Sequence, residues 1–411
     1  MSASSRQYDL VVLGATGYTG KLTAEYITAH FPSNLHWAIA GRSASKLEGV
    51  LTECKGVNPQ GSQPAIEICS LNSDELDALA KKTSVLITTI GPYALHGEPA
   101  FRACADNGTH YLDITGEAVW HNQMIKKYER TAKASGSIMI PQIGVDSAPA
   151  DMMTWVLVNM IREKFSVPTA EVVLSANFAS KPSGGTLSTI FSIFDVYSMK
   201  ELNAASRPYA LSPIPGPQVK DSAPWSTKLF GCRYVRDLGI LTTYIFTVAD
   251  KPQVHRSWGL LGGPNNYGPN FEFNEYKKTQ NYLSGMMSHF GLVLGSIFVS
   301  IPFIRLLLKK FVVQPGDGPT KEESKIGIVE YKGIAKQDVQ EPNASRAFAR
   351  ALFKGSGYDL TAMIVASAAL SLLRDEHKLE GGVYTPACLG QKFVDRLEEG
   401  GFKFEKKIYD D

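Results

Sequence analysis

The sequence predicts an α/β protein, in which a doubly wound parallel sheet is joined to a second domain of α+β type. Short apolar runs alternate with helix-like stretches through residues 1–150, and a glycine-rich turn follows the first of these runs. After residue 150 the strand-like stretches become longer, alternate apolar with polar side chains, and have few helices between them. At 411 residues the chain is also too long for one ordinary domain.

The glycine-rich turn stands between a strand and a helix and has the spacing G-x-x-G-x-x-G. Leu10–Leu13 is a continuous apolar run, typical of a parallel strand buried on both faces, and a helix-like stretch begins at Lys21. In a dinucleotide-binding Rossmann turn the first glycine allows the tight turn, the second admits a pyrophosphate, and the third lets the helix pack closely. The predicted cofactor-binding residues of this turn are Gly14, Thr16, Gly17, Tyr18, Thr19 and Gly20.

The end of the second predicted strand, Leu35–Ala40, carries basic rather than acidic side chains. An NAD-selective site places an acidic residue there, about 20 residues after the glycines, to hold the ribose 2′-hydroxyl. Arg42 and Ser43 occupy this position, with Lys46 one turn later. A solvated basic helix start would have the same composition. The position at a strand end favours a 2′-phosphate held by Arg42 and Ser43, and hence NADP as the cofactor.

Four further strands complete a six-stranded, doubly wound sheet. The helix between the first two of them has acidic residues first and lysines last, and Ser73 is its predicted cap. The four strands are Ala65–Cys69, Val85–Ile90, His110–Thr115 and Ser137–Gly144.

The loop after the fourth strand is the predicted position of the reacting centre, because ligands of open α/β sheets bind at the carboxyl ends of the strands. Gly91 and Pro92 are predicted to contact the cofactor. Hydride transfer often also requires a proton donor, and Tyr93 and His96 are the predicted catalytic residues. A turn tyrosine and a surface histidine would give the same pattern. Asp113 and Glu117, after the fifth strand, are further candidates.

The second domain is predicted from longer elements. A helix starts near Asp146 with Ser147 as its cap, and Ser206–Asp221, rich in Pro, Ser and Ala, is a predicted surface loop. The predicted strands are Ala170–Phe178, Gly239–Val248 and Ser324–Lys332, and the predicted later helices are Leu187–Met199, Tyr358–Leu373 and a last one from Pro386.

One stretch, residues 286–310, is unusual for a soluble reductase. Thr279–Ile304 contains no charged residue and is followed by Arg305, Lys309 and Lys310. A transmembrane helix requires about 20 apolar residues, and the glycines and Pro302 of this stretch weaken a straight span. Association with a membrane or lipid-droplet surface is favoured, with the cations facing anionic headgroups. A core helix or homodimer contact comes next, and a true span last.

Composition excludes several classes of protein. The net charge of +2 gives no electrostatic case for nucleic-acid binding. Five scattered cysteines form no metal-binding or disulfide pattern, so no metal site is predicted and a reducing compartment is expected. The first seven residues are short and polar, and no signal peptide is expected there.

Seven motifs, taken together and in order, resemble the saccharopine dehydrogenase-like oxidoreductases. The resemblance implies a Rossmann domain at residues 1–150, an inserted α+β domain at 151–345, and C-terminal helices at 346–411 that return to the first domain. Its relatives include trans-acting enoyl reductases of lipid synthesis and animal proteins of lipid droplets. The motifs are Gly14–Gly20, Ala40–Ser43, Gly91–Tyr93, Tyr111–Glu117, Gly144–Asp151, Ser183–Thr186 and Gly382–Ala387.

These observations together predict an NADPH-dependent oxidoreductase that acts on a lipid or other apolar substrate at the cytoplasmic face of a membrane or lipid droplet. A non-catalytic, cofactor-binding regulatory protein is the alternative. The sequence lacks the clustered arginines that would bracket an amino-dicarboxylate, so saccharopine itself is not the predicted substrate.

Overall fold

Two seven-stranded β-sheets organise the fold in the computed structural model, which describes residues 6–178, 183–217, 223–309, 318–341 and 343–410. The first sheet is built mainly from the N-terminal part of the chain, where strands and helices alternate as predicted. The elements of this part are β1 (Tyr8–Leu13), α1 (Tyr18–His30), β2 (Trp37–Gly41), α2 (Ala44–Val57), β3 (Ala65–Ile68), α3 (Ser73–Lys81), β4 (Thr83–Thr88), α4 (Tyr93–His96), α5 (Glu98–Asn107), β5 (His110–Asp113), α6 (Ala118–Ser135) and β6 (Ile138–Ile140).

The rest of the chain forms the second sheet and the helices around it. It also contains two single 3₁₀ turns, Gly263–Asn265 and Pro386–Leu389. The elements are α7 (Ala148–Phe165), β7 (Thr169–Phe178), α8 (Gly184–Val196), α9 (Met199–Ala205), α10 (Trp225–Phe230), β8 (Cys232–Val235), β9 (Gly239–Thr242), α11 (Thr247–Leu260), β10 (Glu272–Lys278), α12 (Tyr282–Ser300), α13 (Pro302–Lys309), α14 (Lys321–Lys325), β11 (Ile328–Gln337), β12 (Arg346–Lys354), α15 (Gly357–Arg374), β13 (Gly382–Val383), α16 (Gly390–Glu399) and β14 (Lys403–Tyr409).

The first sheet is entirely parallel and has the strand order β13-β6-β5-β4-β1-β2-β3. The order reverses between β1 and β4, so a crevice for ligands opens there at the carboxyl ends of the strands. The second sheet has the order β14-β12-β11-β7-β10-β9-β8 and is mixed, because β7 and β10 run parallel and the other pairs are antiparallel. The predicted fold class, a Rossmann sheet with a second α+β unit, is confirmed.

Three predicted elements after residue 200 differ from the structure. The predicted strand Gly239–Val248 ends at Thr242, because β10 pairs with β9 only at Leu241 and Thr242 and the backbone beyond has no partner strand; α11 starts at Thr247 instead. The strand predicted from Ser324 begins at Ile328, after a short capped helix. Residues 218–222, which include the end of the predicted surface loop, lie outside the described residues.

The sequence predicts a C-terminal region composed of helices, but in the structure this region also contains strands. β12 and β14 add two strands to the second sheet, while β13 extends the first sheet beyond β6. β12 forms because β11 and β14 pair with its two edges, a long-range condition that its alanine-rich composition does not indicate. Residues 346–410 therefore contribute strands to both sheets.

A shared apolar core and one buried arginine hold the two sheets together. The core includes side chains of β1, β2 and β4 as well as of β7, β11 and β12. Arg256 of α11 is almost completely buried and donates hydrogen bonds to the carbonyl oxygens of Leu211, at 2.7 Å, and Val383, at 2.6 Å. Since Val383 belongs to the first sheet and α11 packs on the second, these bonds fix one sheet relative to the other.

Candidate functional site

The glycine turn after β1 has the geometry that the sequence predicts. Gly14 has a φ of +89°, a left-handed conformation that favours glycine, and its N–H donates to the carbonyl of Ala40 at 2.9 Å. A Cβ on Gly20 would collide with the carbonyl oxygen of Gly14 and lie 2.6 Å from Oγ1 of Thr89. Gly20 therefore lets α1 approach the turn closely.

Gly17 differs from these two glycines, because space is open in front of it. The nearest described atom to a Cβ at this position would be the carbonyl oxygen of Gly14, at 3.3 Å. Gly17 is the N-cap residue of α1 and supplies no side chain, so the first-turn amides of the helix carry no side-chain cap. Unprotected amides at a helix N-terminus and an open backbone form a cradle for a phosphate.

A cleft of about 590 Å³ opens beside this turn. Its walls come from the glycine turn and α1 on one side and from the end of β12 and the start of α15 on the other. The lining residues include Thr16, Gly17, Tyr18, Lys21, Lys354 and Asp359.

Arg42 and Ser43 follow β2 at the same edge of the sheet. The guanidinium of Arg42 is exposed and forms no hydrogen bond or ion pair with any described residue. Ser43 is the N-cap residue of α2, and its Oγ lies 3.4 Å from Oγ of Ser45. A free guanidinium beside a hydroxyl and a helix N-terminus suits a phosphate monoester. The residues present therefore fit an NADP cofactor.

The structure places Tyr93, one of the two predicted catalytic residues, inside the protein. Its side chain is 4% exposed, its hydroxyl donates to the carbonyl of Thr88 at 2.8 Å, and it accepts from the N–H of Ile114 at 3.3 Å. Burial raises the pKa of Tyr93 well above its usual value. A hydroxyl engaged in this way holds the loop in place, and a catalytic role of Tyr93 stays a prediction.

The two acidic candidates also have structural roles. The carboxylate of Glu117 accepts from the N–H groups of Tyr93, at 2.7 Å, and Ala94, at 2.8 Å, and so caps α4. Asp113 accepts from the N–H groups of Thr115, at 3.0 Å, and Gln142, at 2.9 Å. Burial raises the pKa of each carboxyl to about 7. Both therefore shape the loops that follow β4, β5 and β6.

His96, the other predicted catalytic residue, lies at the exposed end of α4 and forms no hydrogen bond with a described residue. Gly91 and Pro92, predicted to contact the cofactor, begin the same loop. A Cβ on Gly91 would lie 3.5 Å from Oγ1 of Thr189, so α8 covers this loop. The predicted contacts of His96, Gly91 and Pro92 with ligands stay predictions.

The Ser183–Thr186 motif connects α8 to the glycine turn, a role that sequence reasoning missed. The N–H of Ser183 donates to the hydroxyl of Tyr358 at 2.6 Å, and the Tyr358 ring meets the edge of the Tyr18 ring at 5.2 Å between centroids. The hydroxyl of Tyr18 donates to the carbonyl of Pro319 at 2.7 Å. The Ser-Gly-Gly-Thr spacing predicts the start of a helix, but nothing local indicates its distant partner Tyr358.

The other end of α8 is bound to the apolar segment. Nε of Arg305 donates to Oδ1 of Asp195 at 2.7 Å, and Nζ of Lys309 pairs with the other oxygen of the same carboxylate. Arg305 is buried and also donates to the carbonyl of Val299 at 2.7 Å. These contacts correct the expectation that both cations face lipid headgroups; Lys310 lies outside the described residues.

α12 and α13 together form an exposed apolar hairpin. Gly285 is the one fully buried residue of α12. Among the described residues, α12 is the one helix long and apolar enough to cross a membrane. Such exposure contradicts the alternative of a core helix within one copy of the chain. The large exposed apolar residues are Tyr282, Leu283, Met287, Phe290, Val293, Leu294, Ile297, Phe298, Ile301, Phe303, Leu306, Leu307 and Leu308.

Comparison with known proteins identifies the family. Residues 10–140 match the family model described as the saccharopine dehydrogenase NADP binding domain. A protein of Mycobacterium tuberculosis named as a trans-acting enoyl reductase is 30% identical over 98% of this chain and 99% of its own. A saccharopine dehydrogenase-like oxidoreductase of Bos taurus is 30% identical over 98% of both chains, and a lipid droplet localized protein of Caenorhabditis elegans is 29% identical over 97% of this chain and 98% of its own.

Solved structures show the same fold at low identity. Saccharopine dehydrogenase (L-Glu forming) from Saccharomyces cerevisiae has a TM-score of 0.52 and 11% identity, over 97% of this chain and 99% of its own. Homospermidine synthase from Legionella pneumophila has a TM-score of 0.51 and 10% identity, over 98% of this chain and 91% of its own. The family match, the NADP-binding domain and the end-to-end identity agree with one another. The chain therefore belongs to the saccharopine dehydrogenase-like oxidoreductases.

Proposed function

We propose that this chain is an NADPH-dependent reductase that takes an apolar, lipid-like substrate at the surface of a membrane or lipid droplet. The observation that carries the proposal is the position of α8. Its N-terminus reaches the cofactor turn through Tyr358, its side covers the loop at Gly91, and its last turn holds the apolar hairpin through Asp195. An apolar molecule held in a lipid layer at α12 and α13 would thus lie next to the wall of the cofactor crevice.

The chain's own residues have distinct tasks in this proposal. The open amides at the start of α1 bind the pyrophosphate, and Arg42 with Ser43 binds the 2′-phosphate. The reduced nicotinamide, when bound, supplies the hydride. α8 and the loop from Gly91 exclude water from the carboxyl edge of the first sheet.

Two relatives support the lipid part of the proposal by their names. One is named as a trans-acting enoyl reductase and another as a lipid droplet localized protein. Both align over nearly the whole chain, including the region of the apolar hairpin. We therefore place the protein at a lipid surface, on its cytoplasmic face, and propose a carbon–carbon or carbon–oxygen double bond as the group that is reduced.

NADPH oxidation in the presence of cellular lipid extract tests the proposal. Sustained turnover, dependent on both extract and protein, is the expected result. Tight NADPH binding without turnover under any lipid condition would instead support a cofactor-binding regulatory protein.

Replacement of Arg42 tests the assignment of the 2′-phosphate site. Loss of a charge-assisted hydrogen bond costs about 1.5–3 kcal/mol, so we expect Arg42→Ala to weaken NADPH by roughly 10- to 150-fold and to leave NADH nearly unchanged. Fluorescence titration with both cofactors measures this difference. Lys46→Ala, one turn later, is the matched control and should have a smaller effect. Equal losses for NADPH and NADH would show that Arg42 does not read the 2′-phosphate.

A further inference from the structure

A group of carboxyl and phenol side chains lies where the two sheets meet. The proposed function has so far given these side chains no role. Asp146 follows β6 at the carboxyl edge of the first sheet. Asp250 of α11, Tyr331 of β11 and Tyr244, from the loop after β9, are close enough to interact with it electrostatically. Glu275 of β10 interacts in turn with Asp250. All except Asp146 are buried.

Asp250 and Glu275 form the inner part of this group. Oγ of Ser147 donates to Oδ1 of Asp250 at 3.0 Å. Neither Glu275 oxygen, nor Oδ2 of Asp250, receives a hydrogen bond from another described residue, and both carboxyls are at most 2% exposed. Two such carboxylates in a buried site cannot both stay ionised, so the pair keeps a proton. Burial raises the pKa of Asp250 well above its ordinary value and that of Glu275 to about 7.

Asp146 is the outer member of this group. It is half-buried and forms no hydrogen bond or ion pair with a described residue. Gly116, in the loop after β5, packs against it, because a Cβ at this position would lie 3.2 Å from Oδ2 of Asp146. Asp146 thus lies at the same edge of the sheet as the glycine turn and the loop from Gly91.

We infer that Asp146 is the proton donor of the reduction. This inference rests on the proposed function. The substrate gains a hydride from NADPH on one carbon, which forms a C–H bond and leaves NADP⁺. The O–H bond of Asp146 breaks, and its proton goes to the neighbouring substrate atom. The carboxylate of Asp146 then regains a proton from solvent.

A lipid-like substrate suits this arrangement because it brings no charge that would interact with Asp146. The ionisable groups that interact with Asp146 are Tyr244, Asp250 and Tyr331, with Glu275 next to Asp250, and none of them is a cation. Within the described residues, no three His, Cys, Asp or Glu side chains converge as metal ligands do. The group is therefore equipped for proton transfer rather than for binding a cation.

Asp146 can donate a proton only in its protonated form, and this determines the pH dependence of kcat. Burial raises the pKa of Asp146 to about 6, so kcat is expected to be highest below this pH and to fall as the pH rises through it. Replacing the inner pair by amides, Asp250→Asn with Glu275→Gln, removes no charge in this pH range, because both carboxyls are protonated there. The pH at which kcat falls is therefore expected to stay near 6 in this variant.

The experiment uses the full chain on liposomes, with trans-2-decenal as the probe substrate. Asp146→Asn should lower kcat by about 100-fold or more while NADPH binds as before. Asp74→Asn, at an exposed aspartate in the first turn of α3, is the matched control and should lower kcat by less than about threefold. Asp146→Glu should recover part of the rate.

A second readout needs neither cofactor nor turnover. In ¹³C NMR of the chain labelled at aspartate carboxyl carbons, a signal absent from Asp146→Asn should titrate with a pKa of about 6. It should keep this pKa in the Asp250→Asn, Glu275→Gln variant, because the inner pair is uncharged at that pH. An Asp146 signal at the ordinary aspartate value, or an Asp146→Asn variant with wild-type kcat, would overturn the inference and leave the proposed function standing. A wild type that binds NADPH but reduces neither decenal nor any component of lipid extract would overturn both.

Discussion

The variant Gly17→Val should lose NADPH while the chain stays folded. Gly17 has an extended backbone with a φ of −79°, and its added Cβ would lie 3.3 Å from the carbonyl oxygen of Gly14, a tight contact that a small shift of the turn relieves. It occupies the space in front of the first-turn amides of α1, where a pyrophosphate would lie. Loss of two charge-assisted hydrogen bonds at about 1.5 kcal/mol each corresponds to a loss of affinity on the order of 100-fold. Fluorescence titration measures the affinity, and circular dichroism checks the fold.

Gly20→Val is the matched control, three residues further along. A Cβ there would collide with the backbone of the turn, so this variant should lose stability as well as affinity. A lower unfolding midpoint for Gly20→Val, beside an unchanged midpoint for Gly17→Val, separates packing from ligand binding. If Gly17→Val binds NADPH normally, the turn is structural and the cofactor lies elsewhere.

The double variant Leu294→Asp, Phe298→Asp should stop the chain from floating with liposomes. The two side chains are 53% and 52% exposed on α12, so carboxylates at these positions face solvent and the fold should survive. In a lipid layer each charge at the centre of an inserted helix costs about 2.5–3.5 kcal/mol. NADPH affinity should stay unchanged, because neither residue belongs to the cofactor turn. Flotation and titration on the same preparation measure both properties.

The control introduces two aspartates at exposed apolar positions outside the hairpin. Val57 and Ile68 are 43% and 55% exposed on the first sheet's side of the molecule, and Val57→Asp, Ile68→Asp should float as the wild type does. A wild type that never floats would refute the lipid surface. If the hairpin instead joins two copies of the chain, the α12 double variant will change the oligomeric state in size-exclusion chromatography and leave flotation unaffected.

The sequence predicts the parts of the site that local pattern determines. The strand, the glycine spacing and the helix follow one another within Leu10 to His30, so their geometry depends on neighbours in the chain. Arg42 is placed by the regular ending of a buried parallel strand. The existence of the apolar segment follows from its length and lack of charge, although these leave open whether it is exposed or buried. In each case a short stretch contains all the information that the prediction needs.

The parts that the sequence does not predict depend on distant residues. Arg305 and Lys309 pair with Asp195, more than a hundred residues earlier in the chain, and this partner decides where they point. Tyr93 is buried because Trp120 packs beside it and Thr88 accepts its hydroxyl, although its position after a strand is typical of a reacting group. Asp146 becomes notable only beside Asp250 and Glu275, which the second sheet brings to it.

α8 has a thermodynamic consequence, because this one helix is linked to the cofactor turn through Tyr358 and to the apolar hairpin through Asp195. Its Ser183 end contacts Tyr358 and its Asp195 end contacts Arg305. Any factor by which a lipid surface changes the affinity for NADPH through this helix must also be the factor by which NADPH changes the affinity for the lipid surface. The concentration of NADPH would then influence how much of the protein resides on lipid, and the amount of lipid surface would influence how much of it is loaded with cofactor.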